Sequence, residues 1–279
     1  MRRRTTRPGE VFWDPDKGEI DAPALEGVDA VIHLAGENVG VRWNAERKRR
    51  IVHSRVAGTE LIARTIASLP RPPRVLISAS GVGIYGIENP DPVDETGPIG
   101  DDFLADVCRQ WEAAAEPSRA AGIRTVNLRI GVVLTPTGGA LAELLPVFRR
   151  GVGGPVGTGR QVMSWISLDD VIAAIYHAVF DTTLSGPVNA VAPNPVTNAE
   201  LAATLGRILH RPALLRAPAF AVKALFGEMG RLVALGGQRV AATKLTAAGF
   251  RFDDPELEPA LRRVLGQSTK PWNGWTTGE

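Results

Sequence analysis

Residues 28–36 read VDAVIHLAG, in which Asp29 and His33 are the only polar side chains before Gly36 closes the run. A nearly continuous apolar stretch of this length, ended by a glycine, is what a strand buried on both faces requires, and such strands belong to parallel sheets. Two further stretches have the same character: RVLISAS at residues 74–80 and TVNLRIGVVL at residues 125–134. Helical patterns lie between them. From Asn44, which has the chemistry of an N-cap, apolar residues recur at Val52, Val56, Ile62 and Ile66, and prolines 70, 72 and 73 stop the pattern. A second long helix is expected over residues 103–121. Strand, helix, strand, helix, strand predicts an α/β fold, a doubly wound parallel sheet of the Rossmann type with right-handed crossovers.

Beyond Leu134 the pattern loosens into a glycine-rich stretch at residues 151–159. Ser167, with Asp170 three residues later, reads as a capping box that opens a helix over 169–180. A short strand at 188–191 leads to Thr197 and Glu200, a second capping box ahead of the apolar run 201–209. Residues 213–265 read as mainly helical, with one aromatic turn at Gly249, Phe250 and Phe252. The expected division is a sheet-bearing domain at 1–185, a smaller, mainly helical domain at 186–266, and a polar tail at 267–279.

Composition narrows the function. The chain has 279 residues, and 32 Lys plus Arg against 30 Asp plus Glu give a formal charge of +2, so no nucleic-acid footprint is present. Hydrophobic residues at 44% and charged residues at 22% describe a globular chain with a core rather than a disordered one. The single cysteine, Cys108, excludes an internal disulfide framework and fits a reducing compartment. Histidines 33, 53, 177 and 210 have no ligand spacing, so no metal is expected. The longest apolar stretch, residues 171–180, is far short of a bilayer span, and no apolar run follows the N-terminal arginines. A cytoplasmic protein without membrane contacts is the expectation.

The one literal dinucleotide motif is Gly81-Val82-Gly83-Ile84-Tyr85-Gly86. Pyrophosphate sites of that kind need the glycines to open a helix, whose N-terminal N–H groups hold the anion. Pro90 and Pro92 deny that helix its space, so the segment reads as a loop at the carboxyl end of a strand.

Three segments taken together, HLAGEN at 33–38, SASGVGIYG at 78–86 and SWISLDDV at 164–171, resemble the extended short-chain dehydrogenase/reductase superfamily. RWNAERKRRI at 42–51, FLADVCRQWE at 103–112, the PVGTGRQ run at 155–161 and GFRFDDPELEPALRRVL at 249–265 resemble its atypical, epimerase-like branch, which carries a small C-terminal helical domain. The resemblance implies a nicotinamide cofactor, NADP in preference to NAD, and a small-molecule substrate. It also implies an initial strand, glycine-rich turn, helix and second strand that this sequence does not contain. Arg3 and Arg4 fall where that second strand would end, a place where basic side chains meet the 2′-phosphate of NADP, and residues 12–15 would form the edge strand of the sheet. The expected consequences are an apolar strand edge left open and weakened cofactor binding.

Dehydrogenases of the superfamily use a Tyr whose pKa is lowered by a Lys four residues on. Here Tyr85 is followed at that spacing by Asn89 and Tyr176 by Phe180, so the pair is absent. The corresponding helix carries Val107, Cys108, Trp111 and Glu112 instead. The candidate catalytic residues are therefore Ser80, at the carboxyl end of a buried strand; Tyr85, with no cationic neighbour in sequence; and Glu112, beside Trp111, whose pKa an apolar pocket would raise. Each has a structural alternative: a satisfied strand-end hydroxyl, a packing phenol, a paired helix carboxylate. The candidate cofactor residues are Arg3, Arg4, Leu34, Ala35, Gly36, Ser78, Gly131 and Val132, with Glu37 and Asn38 on the nicotinamide side. Small residues at 35 and 36 let a dinucleotide approach the backbone. His33 reads as a core histidine and residues 47–50 as a solvated basic face. Two function classes stay open, an NAD(P)-dependent oxidoreductase or epimerase-like enzyme and a non-catalytic NADP binder. A truncated product unable to hold the cofactor is the third alternative.

Overall fold

The computed structural model describes residues 9–87 and 91–267, so Arg3, Arg4 and nearly all of the polar tail lie outside the described residues. The first elements among the described residues form a short ribbon, β1 (Trp13–Asp14) paired antiparallel with β2 (Glu19–Ile20). Next come β3 (Ala30–His33), α1 (Ala45–Ala67) and β4 (Val75–Gly81), which ends in a 3-10 turn at Val82–Tyr85. They are followed by α2 (Phe103–Ala113), α3 (Glu116–Ala120), β5 (Arg124–Ile130), β6 (Val132–Leu134) and α4 (Gly139–Arg149). The second half holds β7 (Val162–Met163), β8 (Trp165–Ser167), α5 (Leu168–Phe180), β9 (Gly186–Ala190), β10 (Val196–Thr197) and α6 (Asn198–Leu209). Helices α7 (Ala219–Met229), α8 (Thr243–Ala247) and α9 (Leu257–Val264) complete it.

The main sheet is parallel throughout, in the order β3-β4-β5-β9, with helices packed on it: an α/β, Rossmann-like architecture. Local chemistry fixes the ends as the sequence indicates. Asn44 Oδ1 accepts from the Arg47 N–H at 2.7 Å, and α1 stops before Pro70. Thr197 and Glu200 form both halves of their capping box. Ser167 Oγ accepts from Asp170 N–H at 3.2 Å, but only this half forms there. The Asp170 carboxylate instead receives the N–H groups of Asp253 and Asp254 at 2.9 and 3.0 Å, which ties the C-terminal segment to the start of α5.

Four sequence expectations need correction. The helix expected over 103–121 is two helices, because Pro117 lacks an N–H and its ring collides with the preceding turn. The strand expected over 125–134 breaks at Gly131, after which β6 leaves the main sheet and pairs with β8. Residues 12–15 do not form an edge strand of the sheet. Trp13 instead lies edge-on to His33, ring centroids 5.7 Å apart, and over Gly58 of α1, where an added Cβ would meet its ring at 2.9 Å. Among the described residues nothing pairs with the outer side of β3, and Ile32 and Leu34 are about half exposed. Finally, β9 is the fourth strand of the main sheet, so the boundary expected at residue 185 falls inside the sheet-bearing unit.

One core lies between the sheet and α5 and takes in Val240, Leu245, Phe250 and Phe252 from the C-terminal segment. A second joins Trp165 to α4, α6 and α9. Among the described residues no helix is long and apolar enough to cross a membrane, and no group of three or more His, Cys, Asp or Glu is placed to hold a metal.

Candidate functional site at the strand tips

Adjacent parallel strands deliver their carboxyl ends to one edge. His33 pairs in register with Ser78, so the loops that follow β3 and β4 leave the sheet side by side, the place where open α/β sheets bind ligands. Past β3, the backbone passes through Ala35 and Gly36 and is then fixed to α1. Glu37 N–H donates to Ser54 Oγ at 3.0 Å, the Glu37 carbonyl accepts from Arg55 Nη1 at 3.0 Å, and the Glu37 carboxylate pairs with Arg47. Glu37 therefore faces α1, and Asn38 Oδ1 is engaged locally by Gly40 N–H at 2.8 Å. Ala35 and Gly36, with Trp13, Arg50, His53 and Ser54, border an open cleft of about 300 Å³. Arg50 brings a permanent positive charge to it. Asp16, 3.0 Å from His53, and Glu37 also line it, so the cleft carries both signs of charge, and the small residues at the strand tip let a ligand approach the backbone closely.

Beneath the tips runs a buried polar network. Ser80, Arg129 and Asn189 occupy one register row across β4, β5 and β9, so their side chains share a face of the sheet. Arg129 donates to both oxygens of Glu112, from Nε at 2.8 Å and from Nη2 at 2.9 Å, and from Nη1 to the Tyr85 hydroxyl at 2.9 Å. Ser80 Oγ donates to Glu112 Oε1 at 2.8 Å. Tyr85 in turn donates to Asn189 Oδ1 at 2.7 Å, and Asn189 Nδ2 to the Ala241 carbonyl at 2.8 Å. Glu95 completes the set by accepting from the Asn189 and Lys244 backbone N–H groups at 3.0 and 3.2 Å.

The structure thus brings together the three residues expected at the chemistry, through a fourth, Arg129, that sequence spacing did not single out. Its signal was an arginine inside an otherwise buried strand. Tyr85 does have a cationic neighbour, supplied from β5 rather than from its own helix. Burial nonetheless raises the phenol above its ordinary pKa, with Arg129 opposing that shift, so Tyr85 keeps its proton at neutral pH. Glu112 lies against a bidentate guanidinium rather than in an apolar pocket. Burial also pushes the Cys108 thiol up to about 11, which leaves it inert.

The remaining cofactor candidates take different positions. Leu34 exposes its side chain, whereas Ser78 is buried, with its Oγ directed at the Ala79 carbonyl. Gly131 and Val132 form the turn between β5 and β6, donating to the Ala190 and Ser164 carbonyls at 3.1 and 2.9 Å. A Cβ at Gly131 would lie 2.6 Å from the Ser164 oxygen and 2.9 Å from Val191. Gly131→Ala is therefore expected to lower stability by about 1–3 kcal/mol, read as a lower urea midpoint, and an unchanged midpoint would show that this turn is not packed as described. Above the site, the C-terminal part meets the start of α1: Arg42 donates to the Ala224 and Leu225 carbonyls at 3.2 Å each, and Lys48 pairs with Glu228 of α7.

Comparison with known proteins adds two family matches, two relatives and one solved structure. The model of the NAD dependent epimerase/dehydratase family matches residues 15–189, and that of a domain of unknown function, DUF1731, matches residues 217–264. An epimerase family protein of Mycobacterium tuberculosis is 42% identical over 262 residues, which covers 94% of this chain and 86% of that one. The human epimerase family protein SDR39U1 is 38% identical over 267 residues, covering 94% and 89%. A crystal structure of the human protein with NADPH superposes with a TM-score of 0.85 at 35% identity, covering 95% of this chain and 90% of that one.

Proposed function

The chain belongs to the NAD dependent epimerase/dehydratase family, and on that premise we propose that it is an NADP-dependent oxidoreductase or epimerase-like protein of the cytoplasm acting on a small molecule. The observation that carries this reading is the shared edge of β3 and β4, where Ala35 and Gly36 open onto a cleft lined by Arg50, His53, Asp16 and Glu37. The human relative solved with NADPH supports the choice of NADP. In this reading Leu34, Ala35 and Gly36 line the dinucleotide, Arg50 meets a phosphate, and Gly131 and Val132 stand on the nicotinamide side. Bound there, NADP supplies hydride acceptance and donation.

The chain's own residues constrain the proton. Tyr85 holds its hydrogen toward Asn189 while Arg129 donates to its oxygen, and Ser80 gives its hydrogen to Glu112. Ser80, Tyr85 and Glu112 thus form the polar floor of the site, with Ser80 one residue from the end of β4. The same observation favours a second reading, an NADP-binding protein without turnover, because the phenol is committed on both sides and its pKa is raised.

Titration with NADPH and NADH, followed by nicotinamide fluorescence, tests the cofactor. NADPH is expected to bind at least about 10-fold more tightly, since a charge-assisted contact to one phosphate contributes on the order of 1.4 kcal/mol or more. Equal affinities would remove the NADP assignment. Absorbance at the nicotinamide band, recorded across a panel of carbonyl compounds and nucleotide sugars, then separates the enzyme from the binder.

A further inference from the structure

We infer that Arg55 is an anion-holding residue of the site, placed to take a phosphate or carboxylate of the molecule bound against the tips of β3 and β4. The inference rests on the strand-tip reading above. Arg55 projects from α1 into the space between the tip of β3 and helix α2. On one side its guanidinium lies under Gly36, where an added Cβ would meet Cζ at 3.0 Å and both terminal nitrogens within 3.3 Å. On the other it lies over the Trp111 ring, 4.9 Å from the centroid. A glycine above and an aromatic plane below form a slot shaped to the guanidinium.

The hydrogen-bond count within that slot is incomplete. Nη1 donates to the carbonyls of Glu37 at 3.0 Å and Ile51 at 3.2 Å. Among the described residues neither Nε nor Nη2 has an acceptor, and no carboxylate stands within ion-pair distance. The nearby Glu37 carboxylate is engaged by Arg47. Arg129, by contrast, is the more deeply buried of the two and has both oxygens of Glu112. A partly buried guanidinium held by carbonyls and a ring, with three N–H groups left over, is matched by an incoming anion. Burial lowers its pKa, with Cys108 and Glu37 opposing, which is the direction expected of a cation short of its counter-charge. The tips of β3 and β4 offer two sources for the anion, the dinucleotide's phosphates and an acidic group on the substrate.

The test compares wild type, Arg55→Met and Arg55→Lys, each first checked for melting temperature. NADPH is titrated into all three, and inorganic pyrophosphate is titrated by calorimetry into each protein both alone and saturated with NADPH. If NADPH binding weakens at least 10-fold in Arg55→Met and is partly restored in Arg55→Lys, the inference holds and the anion belongs to the cofactor. If NADPH binding is unchanged but pyrophosphate no longer binds the NADPH-loaded Met variant, it holds and the anion belongs to the substrate. If both ligands bind all three proteins alike, it is overturned. Should wild type fail to bind NADPH, the cofactor reading fails by itself, and pyrophosphate binding to unloaded wild type but not to Arg55→Met still decides the role of Arg55. Should Arg55→Met not fold, Arg55→Lys carries the same comparison, with unchanged affinity for both ligands counting against the role.

Discussion

Replacing Arg129 by Met is expected to destabilise the protein by about 3–5 kcal/mol and to lower its melting temperature by about 10 °C. The guanidinium is the hub of the network beneath the strand tips. Its side chain and that of Glu112 are 6% and 13% exposed, and it is the donor that satisfies both Glu112 oxygens and the Tyr85 hydroxyl. Burial works against its charge, but the hydrogen bonds and attraction from Glu112, with a further contribution from Tyr85, outweigh this and hold its pKa above the ordinary value. Removing it leaves a desolvated carboxylate answered only by the Ser80 hydroxyl, and that exceeds the loss of one hydrogen bond. The coupling has a clear signature. Arg129→Met combined with Glu112→Leu should recover much of the lost stability, because the stranded charge goes with its partner. Additive losses in the double variant, measured by urea unfolding, would show that the two residues do not form the pair seen here.

Acid should destabilise the fold through His33 by about 3 kcal/mol. The ring is 4% exposed, and among the described residues its Nε2 is a buried atom without a hydrogen-bond partner. Burial lowers its pKa from 6.5 to about 4. The unfolded chain therefore binds the proton first. Stability from this group is fully present above pH 6.5 and is lost as pH falls through the window from 6.5 to about 4. Asp170 runs the other way: burial raises it to about 6, so the folded state binds the extra proton and stability falls as pH rises toward that value. The two are separated by substitution. Their windows overlap between about pH 4 and 6, where the two oppose each other, so His33→Leu should leave stability rising as pH falls through that range, and an unchanged pH dependence would show that His33 does not carry the acid loss.

The sheet was legible in the sequence because its signal is local. Mainly apolar runs at 28–35, 74–80 and 125–130 are the mark of strands buried on both faces of a parallel sheet, and Asn44 and Thr197 mark helix starts through side-chain chemistry that acts within three residues. What escaped depends on packing between distant segments. Gly131 does not look different from any strand glycine until Ser164 closes against it, and the departure of β6 toward β8 follows from that contact. The family resemblance implied an edge strand at Trp13, yet its ring is drawn onto His33 and the Gly58 surface of α1 instead.

The site divides in the same way. Ala35, Gly36 and Ser80 could be nominated because strand ends carry ligands in this architecture. Arg129 and Asn189 could not be found by motif, since their partners Glu112, Tyr85 and Glu95 arrive from 17 to 104 residues away. Their trace in the sequence is a charged or amide side chain in the middle of a strand that is otherwise apolar. Arg55 hides among the small and polar residues of α1, where only the approach of Gly36 and Trp111 from separate elements gives it a setting.

Amide hydrogen exchange with and without saturating NADPH reads most directly whether the cofactor lies along the paired tips of β3 and β4. Slowed exchange confined to residues 34–43, 81–87 and the start of β6, with α9 unchanged, is the predicted result. Slowed exchange elsewhere, with those two loops unaffected under conditions where NADPH is bound, would contradict the placement.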